Sequence, residues 1–383
     1  MNYVKLESLI HLSKGKKAEV LSPIEKSGYL PYVDIKAFEQ GIVDNYTNGE
    51  RCLSCNEGDL LIVCDGSRSS LIGRAIKGYV GSTLAKIDFD SSVISEYLYY
   101  FIQGKYTILN TNTKGTGTPH LKQDLLKSFE LAVPPLDEQK RIVARIEELF
   151  SELDAAVATL ERTKEQLAVY RQAVLKEAFA GCNAWNSCKF SDVLINMRNG
   201  YGKKPSDMGT FKILKISAVR PLFLDLTECR YNSTPFQIED TISPNDILFT
   251  RYNGSKEYVG VCAVVPSLSE EYGYPDKIIK CTPKIQNPVH SKYLAYYLSQ
   301  GNAREYLRSK IKTTSGQNGI SGTDIKNTII YIPDISLQKK IVSEIESRLS
   351  VCDKIEETVN TALQEAEAMR QSILKQAFAG ELN

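Results

Sequence analysis

The chain has 383 residues, of which 42% are hydrophobic, and 47 lysines and arginines against 46 aspartates and glutamates give a net charge of +1. This length and composition exclude a disordered or fibrous chain and predict two or three domains with buried cores. The N-terminus lacks a signal-peptide pattern and no run of eighteen apolar residues occurs, so we expect a cytoplasmic protein without a membrane span. Nine scattered cysteines fit reduced thiols better than disulfides, and Cys52-x-x-Cys55 lacks the second pair of a zinc site.

The first predicted domain, residues 1–132, mixes short strands and helices. The apolar run LLIVC at 60–64 is bounded by Gly and Asp, as strands are, whereas SSVISEYLYYFIQG at 91–104 has helical spacing. The domain carries 15 basic and 15 acidic residues and is neutral overall.

Residues 133–181 form a predicted helix of about 45 residues, far longer than a globular helix of about a dozen. Prolines stand only at its start, and Gly181 follows its end as a C-cap. Its apolar residues step by three and four, which predicts a coiled-coil seam through Ile142, Ile146, Leu149, Leu153, Leu160 and Leu167. A narrow seam of this length needs a second helix as its partner.

Residues 182–332 form a second predicted α/β domain, and residues 333–383 a second long helix. Shifted by 199 positions, 133–181 aligns with 332–380 without a gap, and RQAVLKEAFAG at 171–181 recurs as RQSILKQAFAG at 370–380. The second seam is predicted at Ile341, Ile345, Ile355, Val359, Met369 and Ile373. The two domains also share landmarks, but their offset drifts, which places extra residues in loops of the second domain.

We therefore predict an α+β fold. It has two globular mixed α/β domains, separated by two long antiparallel helices that form a coiled coil, with a pseudo-two-fold internal repeat. Near the ends of the helices, Leu175 and Phe179, matched by Leu374 and Phe378, are expected to pack against the opposite domain.

Three loops recur at equivalent positions in both domains. The first loops are SKGKK at 13–17 and RNGYGKK at 198–204; the second are CDGSR at 64–68 and RYNGSK at 251–256; the third are NTKGTGTPH at 112–120 and IKTTSGQNG at 311–319. Each mixes cationic with small polar side chains, as surfaces that grip phosphates and read base edges do. The predicted DNA-contacting residues are Lys16, Lys17, Arg68, Lys114, Thr116, Thr118, Lys203, Lys204, Arg251, Asn253, Lys256, Lys312, Thr314, Gln317 and Asn318.

The charge distribution also favours a polyanionic partner. Residues 182–333 hold 19 basic against 13 acidic residues, whereas the helical regions hold 13 against 18. Catalytic motifs are missing: there is no P-loop, Gly200-x-Gly202 lacks the third glycine of a dinucleotide fingerprint, and no N-P-P-Y or D-P-P-Y stretch occurs. Glu138-Gln139-Lys140 has the E-x-K spacing of a nuclease, but the second copy has Leu337-Gln338-Lys339.

These features resemble the specificity subunits of Type I restriction-modification enzymes. The resemblance rests on the duplicated unit, on PPLDEQKRIV at 134–143 with a weaker echo at 333–342, and on the R-Q-x-[VI]-L-K-x-A-F-x-G endings. It implies two target recognition domains, each reading one half of an asymmetric bipartite site in double-stranded DNA, with the helices setting the spacing. It also implies modification subunits that bind S-adenosylmethionine and methylate adenine, a restriction subunit that uses ATP and Mg²⁺, and no catalysis or cofactor in the specificity subunit itself. The second helix start, IPDISLQKK, departs from the family pattern, which puts contacts of Asp137 and Glu138 in doubt in that half.

Two alternatives stay open at this point. One is a single-chain restriction or modification enzyme with an unrecognised active site; the other is a coiled-coil scaffold that only joins proteins. Methyl transfer by the chain alone would favour the first, and salt-dependent binding of duplex DNA would exclude the second.

Overall fold

The computed structural model describes residues 3–113, 118–202, 205–314 and 316–382, with Thr314 described in its backbone only. The chain divides into two compact units. Unit 1 comprises Met1–Glu161 and Asn360–Asn383, and unit 2 comprises Arg162–Val359. Each unit thus contains one of the two predicted mixed domains together with a segment of each long helix.

Unit 1 is built from short strands and short helices that precede the first long helix. The strands are β1 (Tyr3–Lys5), β2 (Ile10–Lys14), β3 (Leu30–Val33), β4 (Tyr46–Thr47), β5 (Ser54–Cys55), β6 (Leu60–Val63), β7 (Ile72–Arg74), β8 (Gly78–Val80), β9 (Leu84–Phe89) and β10 (Glu130–Ala132). The helices are α1 (Leu6–Leu9), α2 (Ile35–Gln40), α3 (Ser95–Gln103), α4 (Tyr106–Thr111), α5 (Gln123–Ser128) and the long helix α6 (Leu136–Ala178).

Unit 2 has the same kinds of element and a larger number of short strands. The strands are β11 (Asn186–Lys189), β12 (Leu194–Asn199), β13 (Phe211–Leu214), β14 (Val219–Arg220), β15 (Phe223–Leu224), β16 (Cys229–Asn232), β17 (Ile247–Thr250), β18 (Tyr252–Asn253), β19 (Cys262–Val264), β20 (Tyr272–Gly273), β21 (Ile278–Pro283), β22 (Lys312–Thr314), β23 (Gln317–Gly319) and β24 (Ile329–Ile332). The helices are α7 (Pro288–Leu298), α8 (Gly301–Ser309), α9 (Gly322–Lys326) and the long helix α10 (Ile335–Ala379), with short 3₁₀ helices at Cys182–Ala184, Phe190–Val193, Ile216–Ala218, Ile238–Asp240 and Lys256–Tyr258.

The central sheet has the same topology in both units. In unit 1 the strand order is β2-β9-β6-β7, and in unit 2 it is β12-β21-β17-β19, with antiparallel pairs throughout. The equivalent strands β6 and β17 are buried along their whole length, as expected for the apolar runs LLIV and ILFT. In both units a further antiparallel pair, β1 with β10 or β11 with β24, joins the start of the domain to the strand before the long helix. The repeat predicted from the sequence is therefore a repeat of the fold.

The end of each long helix packs against the domain that it does not follow in sequence. Phe378 of α10 lies against Tyr97 and Phe101 in unit 1, with ring centroids 5.0 and 5.2 Å apart. In unit 2 Phe179, just after α6, lies against Tyr293 at 5.5 Å. Leu175 and Leu374 are buried in the adjoining clusters, so the predicted contacts of the helix ends are confirmed.

The long helices have 43 and 45 residues, as the pattern predicted. In each of them every seventh residue is buried or half-buried: Ile146, Leu153, Leu160, Leu167 and Val174 in α6, and Ile345, Cys352, Val359, Ala366 and Ile373 in α10. The other predicted seam line is covered only near the domains, where Ile341 is buried and Ile142 and Leu149 are half-buried. Ile355 and Met369 are 40% and 54% exposed, so the seam prediction is wrong at these two positions. Ile355 and Met369 thus lie outside the line of covered residues along α10.

Ion pairs between the helices repeat with their partners exchanged. In unit 2 Arg171 of α6 contacts Asp353 of α10 at 2.7 Å and Glu356 at 2.9 Å. In unit 1 Arg370 of α10, the arginine that the repeat aligns with Arg171, contacts Asp154 of α6. Asp154 and Asp353 are also 199 positions apart, so the helix segments pair in the same register in each unit.

Candidate nucleic-acid interface

In unit 1 the second and third loops are joined by backbone hydrogen bonds. The amide of Gly66 donates to the carbonyl oxygen of Pro119 at 2.9 Å, and the amide of Leu121 donates to that of Cys64 at 2.8 Å. Both loops adjoin buried structure, because Cys64 continues β6 at the start of the second loop and Leu121, which follows the third loop, lies in the core. Residues more than fifty positions apart in sequence are thereby held side by side.

Unit 2 joins its second and third loops in the same way. Tyr252 and Asn253 of β18 pair with Gly319 and Asn318 of β23, and the amide of Ile320 donates to the carbonyl oxygen of Arg251 at 3.0 Å. The third loop itself is a hairpin of β22 and β23. The second and third loops therefore share one backbone framework in the two units, but their side chains differ.

Each second loop is also held by a side chain from a following helix. In unit 1 the Asn110 amide of α4 donates to the carbonyl oxygens of Ser67 at 3.2 Å and Ser69 at 2.7 Å. In unit 2 the Arg304 guanidinium of α8 donates to the carbonyl oxygens of Glu257 and Val259 at 2.9 and 3.0 Å. These contacts fix loops that would otherwise be mobile at the sheet edge.

Arg251 and Gln317 are the predicted residues best placed to contact a ligand in unit 2. The Arg251 guanidinium lies over the ring of Tyr252 at 4.7 Å, and its Nε is buried without a hydrogen-bond partner. The side chain of Gln317 is exposed at the rim of a concavity of about 440 Å³. The remaining residues around it are Ile216, Ser217, Arg220, Tyr252, Asn253, Gly254, Ser255, Tyr258 and Lys277.

A second concavity of about 590 Å³ adjoins the first and shares Ile216, Ser217 and Lys277 with it. It adds Lys215 and Arg230 to the lining. Lys215 and Arg230 are paired with Glu228 and Asp207, and Asp276 also lines the second concavity, so Arg220 and Lys277 are the basic residues of this surface best placed to attract phosphates.

Asn318 and Asn253 use part of their hydrogen-bonding capacity within the loops. The Asn318 amide donates to the carbonyl oxygen of Gly254 at 2.9 Å, and its Oδ1 accepts from the Thr313 hydroxyl at 2.7 Å. Asn253 Oδ1 accepts from the amide of Ser255 at 2.9 Å. Asn318 therefore fastens the hairpin to the second loop, whereas the side chain of Gln317 is exposed.

In unit 1 the three loops meet in one polar cluster, the Asp65 cluster, formed by Lys14, Asp65 and His120. Lys14 Nζ lies 2.9 Å from Asp65 Oδ2, and His120 Nδ1 lies 2.7 Å from Asp65 Oδ1. Partial burial acts to raise the pKa of Asp65, but the hydrogen bonds from Lys14 and His120 outweigh it and lower this pKa. The hydrogen bond to Asp65 raises the pKa of Lys14 above its ordinary value. We therefore expect both groups to be charged at neutral pH.

The other predicted contacts of unit 1 are dispersed. Lys16, Lys17 and Thr118 are exposed. Arg68 is engaged by Glu39 of α2, whose Oε1 accepts from Arg68 Nε at 2.7 Å, and is thus not free to reach a ligand without breaking that pair. In unit 2 Lys256 and Lys312 are exposed. The predicted contacts Lys114, Thr116, Lys203 and Lys204 lie outside the described residues, as does the side chain of Thr314.

Across residues 3–113, 118–202, 205–314 and 316–382, no three His, Cys, Asp or Glu side chains come together as a metal site. Within the same ranges, no helix combines the length and apolarity needed to cross a membrane.

Two segments of the chain, residues 1–166 and 185–365, match the family described as the Type I restriction modification DNA specificity domain. The chain belongs to this family. The resemblance drawn from the repeat and the helix endings is thus confirmed, and DNA target recognition is the function that membership assigns. One match falls in each half of the chain, as the internal repeat requires.

Curated relatives of this specificity-domain chain include two specificity subunits. The Type I restriction enzyme EcoKI specificity subunit of Escherichia coli (strain K12) is 28% identical over 400 residues, which cover 96% of this chain and 85% of the relative. The StySPI specificity subunit of Salmonella potsdam is 25% identical over 350 residues, covering 85% and 74%.

Solved structures support the predicted fold of the specificity-domain chain. A chain from the work on complex assembly and conformational transition of the type I R-M system has a TM-score of 0.75 and 19% identity, covering 99% of this chain and 98% of that one. The HsdS subunit from Thermoanaerobacter tengcongensis has a TM-score of 0.52 and 18% identity, covering 99% and 97%. The α+β class with two mixed domains and long connecting helices is confirmed.

Sequence analysis of the specificity domains missed two buried glutamines. Gln139 and Gln338 lie in the first turn of α6 and α10 and are 0% and 3% exposed. Each donates from Nε2 to the carbonyl oxygen of the proline five positions earlier, at 2.9 Å. The signal was available, because the E-Q-K and L-Q-K triplets share the glutamine and the lysine but not the first residue. Gln139 thus fixes the start of α6 to the preceding segment, whereas its neighbours Glu138 and Lys140 are half-buried and exposed, respectively.

Proposed function

We propose that this chain is the DNA-reading subunit of a Type I restriction-modification complex and that each unit reads one half of an asymmetric bipartite target. The observation that carries the proposal is the common loop framework with unlike side chains. Asp65 and His120 occupy in unit 1 the positions of Tyr252 and Gly319 in unit 2. Because hydrogen-bond donors and acceptors specify bases, two unlike sets predict two unlike half-sites.

In unit 2 we assign base contacts to Gln317 and Arg251. Glutamine pairs with the adenine edge through two hydrogen bonds, and arginine pairs with guanine O6 and N7. The exposed lysines Lys256 and Lys312 and the half-buried Lys277, together with the exposed Lys16 and Lys17 in unit 1, suit phosphates, which fix orientation without reading sequence. The predicted role of Asn318 changes to that of holding the loop.

The partners follow from the family as part of the same proposal. Modification subunits would supply adenine methylation with S-adenosylmethionine, and a restriction subunit would supply ATP- and Mg²⁺-dependent cleavage, so that the chain itself performs no catalysis. The acidic helical regions offer a surface for protein partners. A cytoplasmic location and the dependence of spacer length on helix length stay predictions.

The single-chain enzyme and the scaffold are not favoured by the family match. A methyl-transfer assay on the purified chain alone, beside the complex with modification subunits, separates them. Methyl transfer by the chain alone would support the enzyme. If substitutions in this chain do not change which DNA sequence the complex methylates, the scaffold would be supported.

The proposal is tested by mapping methylated adenines on genomic DNA treated with the complex. We expect one two-part, non-palindromic sequence. The Gln317→Ala variant is expected to relax one position in one half-site, at a cost of about 1–3 kcal/mol. Gln286→Ala is the matched control, because it truncates a glutamine at the other end of β21. Lys277 beside the concavity precedes this strand, whereas Gln286 follows it and donates to the Pro283 carbonyl oxygen. Methylation without a two-part sequence would refute the proposal.

A further inference from the structure

The Asp65 cluster draws one side chain from each of the three recurrent loops of unit 1. Lys14 ends β2, Asp65 follows β6, and His120 ends the third loop. The Asp65 side chain is 22% exposed, whereas those of Lys14 and His120 are 51% and 52% exposed. The carboxylate therefore sits beneath two half-exposed groups, and each of its oxygens binds one of them.

This arrangement orients the two outer side chains. A bond from His120 Nδ1 to the carboxylate leaves Nε2 as the ring nitrogen free for a ligand. The Lys14 ammonium has three N–H donors, of which one faces Asp65 Oδ2 and two stay available. A long lysine side chain that is already held loses less conformational freedom when it binds a ligand.

The cluster is not needed to hold the loops together. The bonds from Gly66 to Pro119 and from Leu121 to Cys64 already join the second and third loops through their backbones. Unit 2 makes the equivalent joint with Tyr252 and Gly319, without a carboxylate at that position. The Asp65 carboxylate thus has a task beyond loop closure.

We propose that Lys14 and His120 contact one G·C pair in the half-site read by unit 1, with Lys14 donating to guanine O6 or N7 and His120 Nε2 accepting from cytosine N4, and that Asp65 is the positioning residue for both. This rests on the proposed function and adds the residues that set its first half-site. Lysine is a donor that suits guanine O6 and N7, and the positively charged side of the cluster faces outward while its negative charge is covered. In unit 2 the positions of Asp65 and His120 are taken by Tyr252 and Gly319, so within the part of the chain that the structure describes the effect belongs to one half-site.

The test uses the full chain in complex with modification subunits and a randomised duplex DNA library, followed by sequencing of the bound fraction. The Asp65→Asn, Lys14→Ala and His120→Ala variants are expected to relax the same guanine-containing position of one half-site. Affinity for the preferred duplex should fall roughly 5- to 150-fold, with little change on unrelated duplexes. The double variant Asp65→Asn/Lys14→Ala should lose less affinity for the preferred duplex than the product of the two single-variant fold losses.

Asp59→Asn is the matched control. Asp59 precedes β6 as Asp65 follows it, its side chain is 24% exposed, and its carboxylate lies 2.8 Å from Lys86 Nζ. This variant should lose a similar ion pair and leave the selected sequence unchanged.

Three results would overturn the inference: an unchanged selected sequence in all three variants, an equal loss on every duplex, which indicates a phosphate contact, or a change in the other half-site. Lys14→Ala and His120→Ala truncate half-exposed side chains, so they test the inference even if Asp65→Asn does not fold. If the unsubstituted complex selects no two-part sequence, the proposed function fails instead.

Discussion

Truncating Gln139 to alanine tests whether the start of α6 is locked to the domain that precedes it. Gln139 Oε1 accepts from the amide of Ile94 at 3.0 Å, and Nε2 donates to the carbonyl oxygens of Ser92 at 2.7 Å and Pro134 at 2.9 Å. The side chain is fully buried, so the alanine variant leaves three backbone groups without partners. An unsatisfied buried group costs about 1–3 kcal/mol, and a carbonyl oxygen that keeps a partner on its second lone pair is at the low end of this range. For the three groups together we expect the free energy of local opening to fall by about 3–5 kcal/mol.

The assay is hydrogen exchange of the native chain, because a chain of two units need not unfold in one transition. Peptides that cover residues 92–103 and 130–145 should lose protection by two orders of magnitude or more, since about 1.4 kcal/mol corresponds to tenfold. Gln338→Ala is the control in unit 2, where the side chain makes two hydrogen bonds, to His290 Nδ1 and the Pro333 oxygen. A loss of exchange protection below tenfold, or an equal loss in both units, would refute the conclusion that Gln139 holds the start of α6 to its domain.

Two further predictions concern backbone strain and pH. Ser70→Gly should stabilise unit 1 by about 1 kcal/mol, because Ser70 has a φ of 78° and a buried hydroxyl without a partner. The equivalent residue of unit 2 is Gly260, with a φ of 67°. An unchanged or lower melting temperature of the variant would contradict this prediction. Burial lowers the pKa of His290 below 6.5. The unfolded chain therefore binds a proton that the folded unit 2 does not. Stability is expected to be full above about pH 6.5 and to fall, as pH drops towards the lowered pKa, by at most about 1.4 kcal/mol per pH unit. His290→Asn should remove that part of the slope in denaturant titrations between pH 5 and 7.5, and an identical slope would contradict the assignment.

The long helices and the convergence of the loops could be predicted from the sequence because both depend on periodic or repeated patterns. A stripe repeated over many heptads has few structural solutions, and a gapless duplication fixes which residues are equivalent. The loops recurred at the ends of apolar runs, and the ends of neighbouring strands lie close together. The observed pairing of Asn318 with Asn253 agrees with this alignment.

The pairing of individual side chains could not be predicted in the same way. Arg68 was assigned to DNA by its residue type, but Glu39, which engages it, lies in a helix that no pattern connects to the second loop. Asp65 and His120 are 55 positions apart, and their contact depends on how the second and third loops register. Ile355 and Met369 fit the heptad count, but exposure also depends on which side of the helix a neighbour covers.

The exchanged ion pairs explain why the helix repeat keeps its spacing and the domains do not. Arg171 with Asp353 and Arg370 with Asp154 are one contact made twice, with each helix giving the arginine once and the aspartate once. The two contacts are 17 residues apart along each helix, so an insertion between them in one helix would leave no register in which both pairs form. A loop residue such as Asp65 contacts only its own unit, so a change there alters one recognition surface and leaves the other as it was. This difference explains the two offsets. A change in helix length disturbs contacts that both units need, so the offset of 199 stays gapless, whereas a change in a domain loop disturbs one unit and its offset can drift.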